Sequence, residues 1–158
     1  MKIALFGGTG FIGTYLIEEL LKTGHTPKVL VRPGSEQKLS HHNRCDIVTG
    51  TISDLEAVRD TVSNTDGVIY NIGIIREFPR KKITYEELHF KGARLCMDMA
   101  SELGVKRFIL MSANGAKQSG TAYQETKFLS EQYIRETGLE WTVFRPSLVF
   151  GDPRGKIE

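Results

Sequence analysis

Two sets of residues in this chain have types and spacing that could do chemistry: the run Gly7-Gly8-Thr9-Gly10-Phe11-Ile12-Gly13, and the pair Tyr123 and Lys127. The glycine run lies between an apolar stretch, Ile3 to Phe6, and an amphipathic stretch closed by Gly24, an order that predicts strand, tight turn and helix. One glycine turns the chain, one lets backbone N–H groups approach a phosphate with no Cβ in the way, and one lets helix and strand pack closely. The helix N-terminus adds unpaired N–H groups and the positive end of a dipole. Gly7, Thr9, Gly10, Phe11, Ile12 and Gly13 are therefore expected to hold a nucleotide pyrophosphate.

Tyr123 and Lys127 are four residues apart and share one helix face. An ammonium beside a phenol favours the phenolate and brings its pKa toward the range where it exchanges protons with a carbinol. The same lysine can hydrogen-bond a nicotinamide ribose, and Ser112, ending an apolar run, offers a third hydroxyl. In a dinucleotide fold an acid roughly 20 residues past the glycine turn holds the adenosine ribose. Here Arg32 stands there, and a guanidinium suits a 2′-phosphate, so NADP is expected as cofactor with NAD as the alternative. Asn71 and Gly73, after the fourth apolar run, fall where backbone must pass close to the ribose.

The elements that must position these residues follow from apolar patterning. Strands are predicted over residues 2–6, 28–32, 46–49, 67–71, 107–111 and 141–145, several of them continuous apolar runs as in parallel strands buried on both faces. Helices are predicted between them: one carrying Leu16, Leu20 and Leu21, one capped by Ser53 with Glu56, one capped by Thr84 with Glu87 and stopped by Gly104, and one over about 122–137. This alternation predicts an α/β doubly wound parallel sheet, a Rossmann fold of order 3-2-1-4-5-6, with ligand at the carboxyl ends of the strands. A chain of 158 residues with 40% hydrophobic content is one domain, 1–158.

Composition narrows the function classes. Lys and Arg total 21 against 19 Asp and Glu, so no overall charge argues for nucleic acid. Cys45 and Cys96 have neither disulfide nor metal spacing, which fits free thiols in the cytoplasm. No stretch approaches the roughly 18 apolar residues of a membrane span. His41 and His42 read as a solvated loop, and Trp141 and Phe144 as strand core. Arg76, Arg80, Lys81 and Lys82 form a basic patch after the fourth strand that could attract an anionic substrate, acidic lipid headgroups or an acidic partner.

The glycine turn, Tyr123-Gln-Glu-Thr-Lys127, the strand end Phe108-Ile-Leu-Met-Ser112 and the element Phe144-Arg-Pro146-Ser-Leu-Val-Phe-Gly151 together resemble the short-chain dehydrogenase/reductase superfamily over residues 1–151, its extended and atypical branches above all. Met111-Ser112-Ala-Asn-Gly115 leading into the Tyr-Lys helix resembles bacterial relatives of the nucleotide-binding accessory subunit of respiratory complex I. The resemblance implies Tyr123 as acid/base, Lys127 as its partner and Ser112 as orienter, and adds Thr51, the Ile52 backbone and Pro146 to the cofactor contacts. It also implies departures. Ala113 and Asn114 stand where catalytic members place the hydroxyl that pairs with the tyrosine, and His89 stands where they often carry the asparagine of a proton relay. Extended members continue into a substrate-binding portion, which is expected to be absent here and would leave the sixth strand with an apolar, unpaired edge. The implied roles are an oxidoreductase or epimerase/dehydratase-like enzyme on an unknown small-molecule substrate, a non-catalytic nucleotide-binding subunit of a respiratory-type assembly, with peripheral membrane or respiratory-complex association, or an NADP(H)-sensing regulator.

Overall fold

A computed structural model describes residues 1–152; the last six residues of the expected domain lie outside it. The chain runs β1 (Lys2–Phe6), α1 (Phe11–Lys22), β2 (Thr26–Val31), β3 (Asp46–Thr49), α2 (Leu55–Val62), β4 (Gly67–Tyr70), a π-helical segment (Glu86–Lys91) continuous with α3 (Gly92–Glu102), β5 (Arg107–Met111), α4 (Ala122–Glu136) and β6 (Glu140–Phe144). The six strands form one parallel sheet in the order β3-β2-β1-β4-β5-β6, the expected Rossmann arrangement.

Strand alternation divides the core. Ala4 and Phe6 of β1 face one side with Val58, Val62, Met97, Phe108 and Ile134, covered by α2, α3 and α4. Ile3 and Leu5 face the other side with Ile17, Val29, Val31 and Ile69, covered by α1. β2 starts earlier than expected and takes in Pro27. That residue is tolerated because β3 pairs with β2 only from Lys28 onward, so no strand needs its missing N–H.

Helix starts show two further differences. The side chain of Asp54, not Ser53, caps α2, accepting from the Glu56 and Ala57 amides at 3.1 and 3.2 Å, while Ser53 Oγ turns to Thr51 Oγ1 at 3.1 Å. Thr121 and Gln124 form a reciprocal capping box at the start of α4, which the sequence reading passed over. β6 is an edge strand, and Trp141, Phe144, Leu148 and Phe150 leave much of their apolar surface exposed along it, contrary to the expected core role of Trp141 and Phe144.

Candidate dinucleotide and Tyr-Lys site

The glycine turn closes on the neighbouring strand end. Gly7 has φ +93°, in the region that favours glycine, and a Cβ there would meet the Asn71 carbonyl carbon at 2.9 Å. Gly13, in the first turn of α1, would place a Cβ 2.2 Å from Gly7 O, so helix and turn touch only because this residue has no side chain. Gly10 sits at the N-cap with φ −82° and ψ 177°, and no side chain caps the helix. Its first turn carries no acid. The result is a cradle of backbone donors at a positive helix end, as a pyrophosphate requires.

Asn71 adds a second signature. Its amide N–H donates to Phe6 O at 2.9 Å and its Nδ2 to Gly7 O at 3.4 Å, yet Oδ1 is buried with no hydrogen-bond partner among the described residues. A buried orphan acceptor beside a glycine cradle fits a site completed by a ligand hydroxyl. Arg32 is exposed immediately beyond β2, with no carboxylate paired to it among the described residues, and Thr51 is exposed just beyond β3. Ile52 packs partly against the core. Thr9, Phe11 and Ile12 are half-buried around the cradle. Phe11 and Tyr15 make an edge-on ring contact at 5.5 Å, and with Ile12, Val149, Phe150 and Gly151 they line a cavity of about 230 Å³.

The Tyr-Lys pair lies on α4. Lys127 is 4% exposed, and its Nζ donates to Met111 O at 2.9 Å and Ile72 O at 3.4 Å, which places the ammonium between the exits of β4 and β5. It also lies 3.6 Å from where a Cβ on Gly73 would be, so that glycine keeps the approach to it open. Burial lowers the Lys127 pKa to about 8, against the opposing pull of Glu131. Tyr123 is half-buried, its hydroxyl without a hydrogen-bond partner among the described residues, and its ring meets His89 edge-on at 5.1 Å and Tyr85 at 5.6 Å. Burial, then Tyr85, raises its phenol pKa. That corrects the expected lowering by Lys127, whose ammonium is directed to two carbonyls.

His89 is buried in the π-helical segment. Its Nε2 accepts the Ile74 N–H at 3.0 Å, so a neutral ring carries its proton on Nδ1, which lies 3.3 Å from Thr126 Oγ1. Burial, and then Lys127, lowers its pKa to about 3. The imidazole therefore stays neutral, stacked on Tyr85 at 5.2 Å.

Ser112 departs from its expected role. It is buried, and its hydroxyl donates to Glu131 Oε1. Glu131 has no exposed surface and is forked by Arg145, whose Nε donates to Oε1 at 2.8 Å and whose Nη2 donates to Oε2. Burial would raise the Glu131 pKa, but the Arg145 and Ser112 hydrogen bonds outweigh it and hold the carboxyl ionised. With its proton committed to a buried carboxylate, Ser112 has no donor left to orient a carbonyl. Pro146 O accepts the Asn114 N–H at 2.8 Å and Phe144 O accepts the Ser112 N–H at 2.8 Å, so Pro146 helps zip β5 to β6 at their exits.

The sequence reading missed Tyr85, Thr126 and Glu131. Tyr85 is four residues before His89 and Glu131 four after Lys127, spacings that could have flagged both. His41 forms a long contact with Glu18 at 3.7 Å, and no metal-binding cluster occurs among the described residues.

A family model described as NAD(P)H-binding matches residues 7–158. Among curated proteins, the NADH-ubiquinone oxidoreductase 40 kDa subunit of Neurospora crassa is 29% identical over 93% of this chain and 40% of its own length. The ceramide reductase of Caulobacter vibrioides is 27% identical over 94% of this chain and 46% of its own length. The chain thus spans less than half of these relatives. Among solved structures, the Bordetella bronchiseptica enzyme WbmH in complex with NAD+ superposes with a TM-score of 0.75 at 21% identity, covering 91% of this chain and 55% of that one. That likeness is one of fold.

Proposed function

The chain belongs to the NAD(P)H-binding family, and on that premise we propose that it is an atypical short-chain dehydrogenase/reductase-like domain that binds NADP(H) and reduces a carbonyl compound. Nicotinamide dinucleotide binding comes with the family; the preference for NADP and the reaction are the proposal. The glycine cradle would hold the pyrophosphate, Asn71 and Lys127 the ribose side, and Arg32 a 2′-phosphate, with Thr51, Ile52 and Pro146 completing the surround. When bound, the nicotinamide supplies hydride chemistry.

The observation that carries the reading is the Tyr123 hydroxyl, free of any partner among the described residues and one helical turn before a buried lysine at the strand exits. The Tyr123 phenol, its pKa raised by burial, is protonated at neutral pH, and its unengaged hydroxyl is the group that would donate to the oxygen of a carbonyl that takes up hydride. Lys127, its ammonium on Met111 O and Ile72 O, serves the ribose side rather than the phenol. His89, neutral and edge-on to the Tyr123 ring, holds that ring in place rather than exchanging its own proton.

The test is Tyr123→Phe in an NADPH-oxidation assay over a panel of aldehydes and ketones. The variant should lose roughly a hundredfold or more in turnover, as for removal of a general acid, with NADPH affinity unchanged. Equal turnover in parent and variant would remove Tyr123 from the reaction.

A second reading is favoured by Ser112. Its donor is tied to Glu131, as suits a nucleotide-binding subunit that needs no carbonyl orienter, and the respiratory 40 kDa relative gives that reading an assembly to belong to. Tight NADPH binding with no turnover by the parent on any carbonyl would support it.

A further inference from the structure

The segment between β4 and the π-helical turn projects four cations around two exposed apolar side chains. Ile75 is 80% exposed and Phe78 45% exposed, with Arg76 stacked over the Phe78 ring at 5.4 Å. Arg76, Arg80, Lys81 and Lys82 are all exposed, and none forms an ion pair among the described residues. The acids nearby are already engaged: Glu77 Oε1 accepts the Tyr85 N–H at 2.7 Å, and Glu86 and Glu87 both pair with Lys91.

The loop is also held in shape. Phe78 and Ile83 form an antiparallel bridge around the turn Pro79–Lys81, and Tyr85 Oη donates to Ile75 O at 2.8 Å. The Ile74 N–H is fixed by His89. The cations and the two apolar side chains therefore form a standing feature of the surface, at the strand ends where the candidate site lies.

We propose that this loop docks the protein on an anionic lipid surface, with Ile75 and Phe78 entering the headgroup boundary and Arg76, Arg80, Lys81 and Lys82 pairing with lipid phosphates and carboxylates. Positive charge beside a negatively charged leaflet supplies the attraction, and long cationic side chains can lay their stems along the apolar boundary while their heads stay in water. An acidic protein partner would explain the charge but not the exposed isoleucine. Two isolated apolar side chains offer too little area for the core of a stable protein interface, whereas shallow insertion into a bilayer needs no complementary pocket. The proposal stands independently of any reaction at Tyr123.

The experiment is co-sedimentation of the purified chain with vesicles of mixed phosphatidylserine and phosphatidylcholine, and with vesicles of phosphatidylcholine alone, at low and high salt. Binding is expected to the mixed vesicles only and to fall with salt. Each surface cation contributes about fivefold in partitioning, so R80A/K81A/K82A should weaken binding roughly a hundredfold. I75S/F78S should weaken it further while leaving NADPH affinity intact, which shows that the fold is preserved. Equal binding to neutral vesicles would overturn the proposal. So would unchanged binding by the loop variants, which would assign the affinity to the exposed apolar surface along β6. Binding to polyglutamate with none to mixed vesicles would likewise overturn it in favour of an acidic protein partner.

Discussion

The glycine cradle and the Ser112-Glu131 cluster sit at strand exits of the same sheet, and they treat their polar groups in opposite ways. In the cradle the chemistry belongs to the backbone: no side chain caps α1, the close approach of Gly13 to Gly7 leaves no room for a Cβ, and Asn71 Oδ1 has no partner among the described residues. Around Ser112 the chemistry belongs to side chains and is consumed internally, the hydroxyl and Arg145 both closing on a carboxylate with no exposed surface. An open set of donors and acceptors suits a ligand, and a closed set holds the fold together. Tyr123 and Lys127 lie between the two, one with a hydroxyl unpartnered among the described residues and the other with its ammonium on two carbonyls.

The largest effect should come from breaking the cradle. Gly13→Ala puts a methyl 2.2 Å from Gly7 O, a backbone atom that can move only with the turn, so a loss of roughly 3 kcal/mol in stability is expected from denaturant unfolding. A fully stable variant would mean that the turn is looser than the open arrangement requires.

Arg32 sharpens the comparison by asking what the open side selects. A guanidinium to 2′-phosphate contact is a charge-assisted hydrogen bond worth about 1.5 to 3 kcal/mol, or roughly ten- to a hundredfold in affinity. Arg32→Asp should therefore invert the ratio of NADP to NAD dissociation constants, measured at one ionic strength. An unchanged ratio would place selectivity elsewhere.

The smallest effect is a slope. His89 has a folded pKa of about 3 against 6.5 for an ordinary histidine, so between those values the unfolded chain takes up a proton that the folded chain refuses. Stability should fall as pH drops below 6.5, by about 2 kcal/mol between pH 7 and pH 5, since each pKa unit is about 1.4 kcal/mol. His89→Asn should flatten that dependence in urea unfolding at the two pH values, and an equal slope in the variant would show that His89 takes up its proton as readily in the fold as in the unfolded chain.

The cradle was the more legible of the two regions, and the reason is physical. A glycine run acts through absent side chains, so its meaning survives in one dimension, as do the continuous apolar strands that fixed the sheet. The Ser112 cluster depends on which way hydroxyls turn. Glu131 meets Arg145 only because β6 returns beside β5, and nothing local in the sequence marks that carboxylate as buried. The Tyr123 pKa was read with the wrong sign because spacing placed Lys127 near the phenol but could not show its ammonium turned to Met111 and Ile72. The π-helical turn around His89 was invisible for a similar reason, since it shifts hydrogen bonds while leaving the apolar periodicity of the helix largely intact.

The claim that the backbone cradle binds the dinucleotide is tested most directly at Gly10. Its φ of −82° is open to any residue, so Gly10→Val should fold with a loss of only about 1 kcal/mol, the cost of a poor N-cap. A branched side chain there would nonetheless intrude on a bound pyrophosphate. Calorimetric titration of NADPH into parent and variant, with thermal unfolding of the same samples, separates the two effects. Binding by the parent, with affinity at least about tenfold weaker in the folded variant, is the predicted result; equal affinity in the two proteins would contradict the account.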